Sequence, residues 1–383
     1  MRDFLAEARD LHAGAIVLDG HADTPQRFVD EGWNWTGDAL GLGQLSSETA
    51  HAGGLQGGFL IAWPEPDAWA GRFAERTRTL IEGIHQQALR HPEALRICLD
   101  RTDIQSARQA GQFAALIGIE GGHAIENSLD KLREFYRMGA RYMTLTWANA
   151  NDWCGSSGVG ANAMGLNGFG RDVVREMNRL GMLVDVSHVS DAAFWDVLET
   201  SRAPVIASHS SARALRGAAR NLTDDMVRAL VAKDGLVMVN FFAAFLSDTW
   251  RAAWNAIKPD LEEALKPIRA RYLERGEPMP FFTELQVERA FARQLPPLPF
   301  SVLVDHFDHL LRVAGPDHVG MGSDFDGIAL SVEGMESAAD LPKITAGLLE
   351  RGWPGHDLKD MLGGNLLRVL DRAQQYAANA LRA

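Results

Sequence analysis

Eight short, nearly continuous apolar runs, each followed by sequence of helical periodicity, constrain the fold of this chain more than any other feature. They cover residues 15–19, 58–62, 114–119, 142–146, 183–187, 205–208, 236–240 and 318–322. Strands buried on both faces look like this, and their alternation with helices is the pattern of a parallel sheet wound with helices. Eight such units favour an α/β fold closed as a (β/α)8 TIM-type barrel over an open sheet. A ninth, weaker run at 94–99 reads as a peripheral strand.

The intervening segments carry helix signals. Ser128 stands where it caps a helix whose Leu129, Leu132, Phe135 and Tyr136 share one face, with Gly139 as its stop. Ser190 does the same for Phe194, Val197 and Leu198. Thr223 followed by Asp224 and Asp225 starts another helix, because a capping oxygen and acidic side chains both suit the positive end of the dipole. Residues 250–294 break the alternation with charged, helix-prone sequence ending at Pro296-Pro297, so a helical insertion of about residues 245–300 is expected before the last strand. The 383 residues are read as a single barrel domain, with the barrel over about 15–370.

Composition narrows the function. Apolar residues make up 46% and charged residues 23%, ordinary proportions for a globular chain. A net charge of −12 disfavours nucleic acid and anionic membrane, which attract basic faces. The first residues lack the apolar core of about 7–15 residues that a secretory signal needs, and no stretch approaches about 18 apolar residues. A cytoplasmic location is therefore expected. With only Cys98 and Cys154 present, neither a disulfide framework nor a thiolate metal site is available, so any metal must take nitrogen and oxygen ligands.

Such ligands collect at the predicted strand ends, where a barrel of this kind builds its active site. The first run leads into Asp19-Gly-His21-Ala-Asp23, where His21 and Asp23 are two residues apart and project to one side of an extended segment. The third ends in Glu120 followed by two glycines, and its carboxylate has two oxygens with which to bridge two ions. The fifth and sixth both end Ser-His, delivering His188 and His209 from adjacent strands. The last ends Gly322-Ser-Asp324-Phe-Asp326-Gly327. A single histidine after an apolar run is ordinarily a hydrogen-bonded structural residue, but His21, Asp23, Glu120, His188, His209 and Asp324 arrive together from five strand ends, and His/Asp/Glu sets are standard zinc ligands. His12, His51, His85, His91, His123, His306, His309, His318 and His356 read as surface or packing residues, and Asp326 as a turn residue.

The order and spacing of several motifs resemble the renal (membrane) dipeptidase family of zinc metallopeptidases. They are Asp19-Gly-His21-Ala-Asp23, Gly53-Gly-Leu-Gln-Gly-Gly-Phe59, Ile119-Glu120-Gly-Gly, Tyr142-Met-Thr-Leu-Thr146, Asp185-Val-Ser-His188, Ala207-Ser-His209-Ser, Arg220-Asn-Leu-Thr-Asp-Asp225 and Gly322-Ser-Asp-Phe-Asp-Gly327. The likeness spans about residues 15 to 370. It implies a binuclear zinc site in which His21 and Asp23 hold one ion, His188 and His209 the other, and Glu120 bridges them together with a water or hydroxide. It also implies that Arg220 receives the substrate carboxylate, a task suited to a guanidinium fork. One departure stands out: where the family pattern has a substrate-contacting histidine after Thr144-Leu-Thr146, this chain has Trp147, and indole donates one hydrogen bond but cannot become a cation. Asn149, Asn151 and Asp152 lie nearby as further polar candidates.

Two dications about 3.5–4 Å apart make a hydroxide available near neutral pH and polarise a carbonyl. Asp324 would then take the proton of that water and pass it to the departing amine. The expected activity is hydrolysis of a dipeptide or similar small amide with a free carboxylate. The alternatives are a related amidohydrolase acting on an N-acyl amino acid, a lactam or a lactone, and a binding homologue that has lost catalysis. The expected partner is a small-molecule or dipeptide substrate, with neither nucleic acid nor membrane; a homodimer is compatible with the sequence.

Overall fold

β-Branched and other apolar side chains on consecutive positions can be buried on both faces only if the strand lies in the middle of a layered or closed sheet. The computed structural model, which describes residues 2–37, 43–160, 163–380 and 382, resolves this by closure. Its strands are β1 (Leu18–Ala22), β2 (Gly57–Ala62), β3 (Leu95–Ile97), β4 (Phe113–Glu120), β5 (Ala140–Thr144), β6 (Leu183–Asp185), β7 (Val205–Ala207), β8 (Leu236–Val239) and β9 (Val319–Met321). All pairings are parallel, and the ring runs β1-β2-β4-β5-β6-β7-β8-β9 and back to β1. The chain is thus a (β/α)8 barrel. β3 stays outside the ring, pairing only with the first residues of β4, while β5 takes the later half of the same edge.

Alternate side chains of each strand go to different cores. Phe59 and Ile61 of β2 join Leu18, Leu116, Tyr142, Leu183, Ile206, Leu236 and Met238 in one cluster, whereas Leu60 and Ala62 pack with the surrounding helices in the other. The first cluster also takes Leu366, Leu367 and Leu370 of the helix Asn365–Ala380. Asn365 binds the carbonyls of Pro316 and Val319 at 2.7 and 2.9 Å, so this helix closes the amino-terminal end of the barrel and leaves the carboxyl end for chemistry. Gly118 is needed inside: a Cβ there would stand 2.6 Å from Tyr142 Cζ and 2.8 Å from Ile61 Cδ1.

Local signals are partly followed. Ser190 and Thr223 accept hydrogen bonds from the amides of Ala193 (3.0 Å) and Met226 (3.2 Å), but Ser128, although at the start of the helix Leu129–Arg137, makes no capping bond. β1 begins three residues later than its apolar run and includes His21, because pairing with β2 and β9 continues past Asp19. Similarly, β5 begins at Ala140 and ends at Thr144. Between β8 and β9 stand the helices Asp248–Arg275 and Phe281–Ala292. Phe281, Glu284 and Glu288 of the latter, spaced i, i+3 and i+7 and hence on one face, look into the cavity above the barrel. Among the described residues no helix is long and apolar enough to cross a membrane.

Candidate metal centre and active site

The carboxyl ends of β1, β4, β6, β7 and β9 bring six side chains to one point. Glu120 is the middle of the group. One of its oxygens, Oε2, lies 3.6 Å from His21 Nε2, which is itself 3.6 Å from Asp23 Oδ2. The other, Oε1, lies 2.9 Å from His188 Nε2 and 3.4 Å from His209 Nε2. Two sets of potential ligand atoms therefore share Glu120 through different oxygens, each set lying within 4.8 Å. A third combination, His21, His209 and Asp324, meets the same limit.

The imidazoles are held by partners behind them, a recurring feature of metal sites. Tyr142 donates its hydroxyl proton to the Gly20 carbonyl (3.1 Å), leaving its oxygen to accept from His21 Nδ1 (2.7 Å). Burial pushes the phenol well above its ordinary pKa, which keeps it protonated. Ser208 donates to Asp185 Oδ2 (2.6 Å) and accepts from His209 Nδ1 (2.7 Å). Asp185 is saturated further by Thr144 Oγ1 (2.5 Å) and the amides of Ser187 (3.0 Å) and Ser208 (2.8 Å). With Nδ1 of both rings occupied by these partners, Nε2 is the atom that His21 and His209 each turn into the centre.

His188 reaches the centre by a different device. Its φ is +68°, as Asp324's is +64°, a left-handed conformation that costs a non-glycine residue roughly 1–3 kcal/mol and concentrates at functional sites. Its Nε2 stands 2.9 Å from that of His209, a juxtaposition of two ring nitrogens that a shared cation explains.

Electrostatics agree with a cation-binding role. Burial, reinforced by the Arg220 charge and for His209 also by His21, pushes the His188 and His209 pKa values down and keeps these rings neutral. At His21 burial opposes the charged form, but the Glu120 and Asp23 carboxylates outweigh it and raise the pKa well above normal. Burial also raises Asp23. Three carboxylates, from Asp23, Glu120 and Asp324, crowd a dry space and demand positive charge. Among the described residues, buried His21 Nε2 and Asp23 Oδ1 have no hydrogen-bond partner. Unpartnered buried polar atoms are expensive unless something such as an ion satisfies them. His21, Asp23, Glu120, His188 and His209 thus fit a metal pair in donor type and arrangement.

Asp324 lies at the edge of this group. Its Oδ1 is 4.0 Å from His21 Nε2, its Oδ2 accepts from Asn240 Nδ2 at 2.8 Å, and its amide donates to the His21 carbonyl at 3.0 Å. Asp19 fastens the same seam: it accepts from the amides of Ser323 (2.9 Å) and His21 (3.2 Å) and from the Ser323 hydroxyl. Its own pKa is pushed up to about 6 by burial. Asp326 accepts from Thr24 Oγ1 (2.7 Å) and the Gln44 amide (2.8 Å), a turn-holding role away from the centre.

Above the centre is a cavity of about 930 Å³ lined by Trp63, Trp147, Arg220 and Phe281, together with His188 and Asp324. Trp147 faces it, with its ring 4.7 Å from Trp63 and 6.4 Å from His188. Phe281 meets Trp63 edge-on at 5.0 Å. Arg220 donates to Ser210 Oγ (2.7 Å) and the His209 carbonyl (2.8 Å), while its Nε is unpartnered among the described residues. Asn149, Asn151 and Asp152 do not line the cavity. Asn151 instead donates to the preceding Leu145 carbonyl and accepts from the amides of Trp153 and Cys154, and Asp152 accepts from Asn127. His123 is buried behind Glu120 and bonded to the Pro64 carbonyl at 2.8 Å, a packing role shared by His12 and His306. Tyr142, Asp185 and Asn240 escaped notice as site residues; the one available hint was that Asn240, like Glu120, ends an apolar run with a polar side chain.

The model of a family described as membrane dipeptidase, peptidase family M19, matches residues 5–383. The chain belongs to this family. Among its relatives, dipeptidase verJ of Clonostachys rogersoniana is 31% identical over 390 residues, which cover 97% of this chain and 88% of verJ. Human dipeptidase 3 (Homo sapiens) is 30% identical over 385 residues, covering 97% of this chain and 68% of the human protein. The crystal structure of the probable dipeptidase PvdM from Pseudomonas aeruginosa matches with a TM-score of 0.80 at 25% identity, covering 98% of this chain and 99% of that one. As a member of family M19, the protein is a metal-dependent dipeptidase, a hydrolase of small peptides.

Proposed function

We propose that the protein is a binuclear zinc dipeptidase that cleaves dipeptides, or similar small amides, bearing a free carboxylate. The observation that carries this reading is the division of Glu120, with Oε2 toward His21 and Asp23 and Oε1 toward His188 and His209. Bound by these residues, a zinc pair supplies an activated water and polarises the scissile carbonyl. Asn240 holds Oδ2 of Asp324, which leaves Oδ1 to take a proton and deliver it to the leaving amine. Arg220 lines the cavity, where its guanidinium would receive a substrate carboxylate. Trp63 and Trp147 form an apolar wall that excludes water beside His188.

A second reading, hydrolysis of an N-acyl amino acid, a lactam or a lactone, draws on Trp147, which puts an indole where a cationic donor would otherwise meet developing charge. Two buried free thiols, Cys98 and Cys154, support a reducing, cytoplasmic setting. The test combines elemental analysis with a dipeptide panel. About two zinc equivalents per chain are expected after reconstitution, falling to about one in His188→Ala and in His209→Ala, with dipeptide turnover by the wild type. Trace metal in the reconstituted wild type rejects the binuclear site, and metal without turnover of any dipeptide moves the assignment to the second reading.

A further inference from the structure

The charges around the cavity are unevenly compensated. Its volume of about 930 Å³ is near the upper end of the roughly 300–1,000 Å³ usual for small-molecule sites, so it has room beyond the scissile bond. Five arginines line it: Arg76, Arg216, Arg220, Arg251 and Arg269. Arg76 is neutralised by Asp30 through two contacts of 2.7 Å, and Arg269 by Glu284 at 2.6 Å, and both carboxylates line the same cavity.

Arg216 and Arg251 differ. The side chain of Arg216 is 12% exposed and its Nε makes no well-directed hydrogen bond; its ion-pair partner is Asp248 at 3.1 Å, which is 71% exposed and so screened by water. Arg251 has no ion-pair partner among the described residues. Burial, and then the neighbouring Arg216, weaken its hold on its proton. It stands in the first turn of the helix Asp248–Arg275, whose amide dipoles add to the positive potential. Phe242 and Phe245 line the same wall, and Phe245 lies under Arg220 with 5.5 Å from guanidinium to ring centre. In a protein of net charge −12, uncompensated positive charge is concentrated on this one wall.

We propose that Arg216 and Arg251 form a second anion subsite, which takes the side-chain carboxylate of a dipeptide ending in Asp or Glu while Arg220 holds its α-carboxylate. The proposal rests on the dipeptidase reading for the identity of the substrate. Arg216 and Arg220 both belong to the segment after β7 and both line the cavity. Guanidinium forks match carboxylates in shape as well as charge.

The test compares kcat/KM of the zinc-loaded protein for Ala-Glu and Ala-Gln, the C-terminal residue supplied in either configuration. The two differ in charge and hardly in shape. A preference of at least about tenfold for Ala-Glu is expected, the ratio corresponding to one partly screened charged hydrogen bond. In Arg216→Gln/Arg251→Gln the ratio falls to about one. Absence of the preference in the wild type, or its survival in the double variant, overturns the subsite. Calorimetric binding of N-acetylglutamate and N-acetylglutamine gives a readout without turnover. Tighter binding of the former, lost in the double variant, upholds the subsite even if neither dipeptide is cleaved, in which case only the dipeptidase reading fails. Equal binding of the two by the wild type rejects it however fast dipeptides are hydrolysed.

Discussion

Replacing Tyr142 by phenylalanine removes one oxygen from the fully buried interior and leaves the ring in its place beside Gly118 and Phe59. Two groups lose their partner, His21 Nδ1 and the Gly20 carbonyl. Without the acceptor behind it, His21 is no longer held with Nε2 toward Asp23 and Glu120. Loss of such a supporting contact lowers metal affinity by about 10- to 100-fold, equivalent to about 1.4–2.8 kcal/mol. The loss should fall on one site alone, since neither His188 nor His209 bonds Tyr142 and His209 is oriented by Ser208 and Asp185. Competition of the zinc-loaded variant with a chelator of known affinity reads the two sites separately. One weakened by the stated factor and one unchanged is the expected result. Equal weakening of both, or none, would refute the claim that Tyr142 sets the His21 ring. Unfolding of the metal-free variant should show a separate loss of about 1–3 kcal/mol for the stranded carbonyl.

Asp324→Asn is expected to keep metal content near normal while kcat falls at least about a hundredfold; a parallel loss of metal would instead make Asp324 a ligand alongside His21 and His209. Converting the substrate carboxylate to an amide should depress kcat/KM strongly for the wild type and hardly at all for Arg220→Ala, and equal losses would locate that contact elsewhere. Trp147→His should raise kcat/KM for simple dipeptides by up to about a hundredfold or more with metal unchanged, the size of effect typical for one oxyanion donor, and a neutral outcome removes Trp147 from the reaction. Burial pushes Glu288 up to about 7, so the folded state holds a proton that the unfolded chain, titrating at its ordinary value, releases earlier. Stability should therefore decline as pH rises through about 4.5 to 7, by about 1–3 kcal/mol. Thermal unfolding at pH 5 and pH 8 should show this decline in the wild type and a smaller one in Glu288→Gln, and identical slopes would dismiss it.

The barrel was legible because burial on both strand faces requires long apolar runs, a property each segment carries by itself. The convergence of six residues at the candidate metal centre was legible for a related reason: a polar residue closing such a run has few structural uses. What lay hidden depends on distant pairings. Tyr142 lies 121 residues from His21, and Asn240 lies 84 from Asp324, so no local period announces either contact. Ser128 shows the opposite case, a residue with the right neighbours whose hydroxyl makes no cap. The polar end of β1 was missed because Gly20 and His21 interrupt the apolar run, although the backbone pairs with its neighbours regardless of side chain.

The latch of Asp19 on Ser323 ties together strands whose residues are 304 positions apart. During synthesis His21, Asp23 and Glu120 are therefore displayed long before Asp324 exists, and they must wait unassembled while everything between them emerges. Such distant closure is slow to search for, and the candidate site is complete only once the last strand is in place. A partly folded chain has its acidic and imidazole groups without the seam that sets Asp324 beside His21, and that seam forms only when the last strand reaches the first.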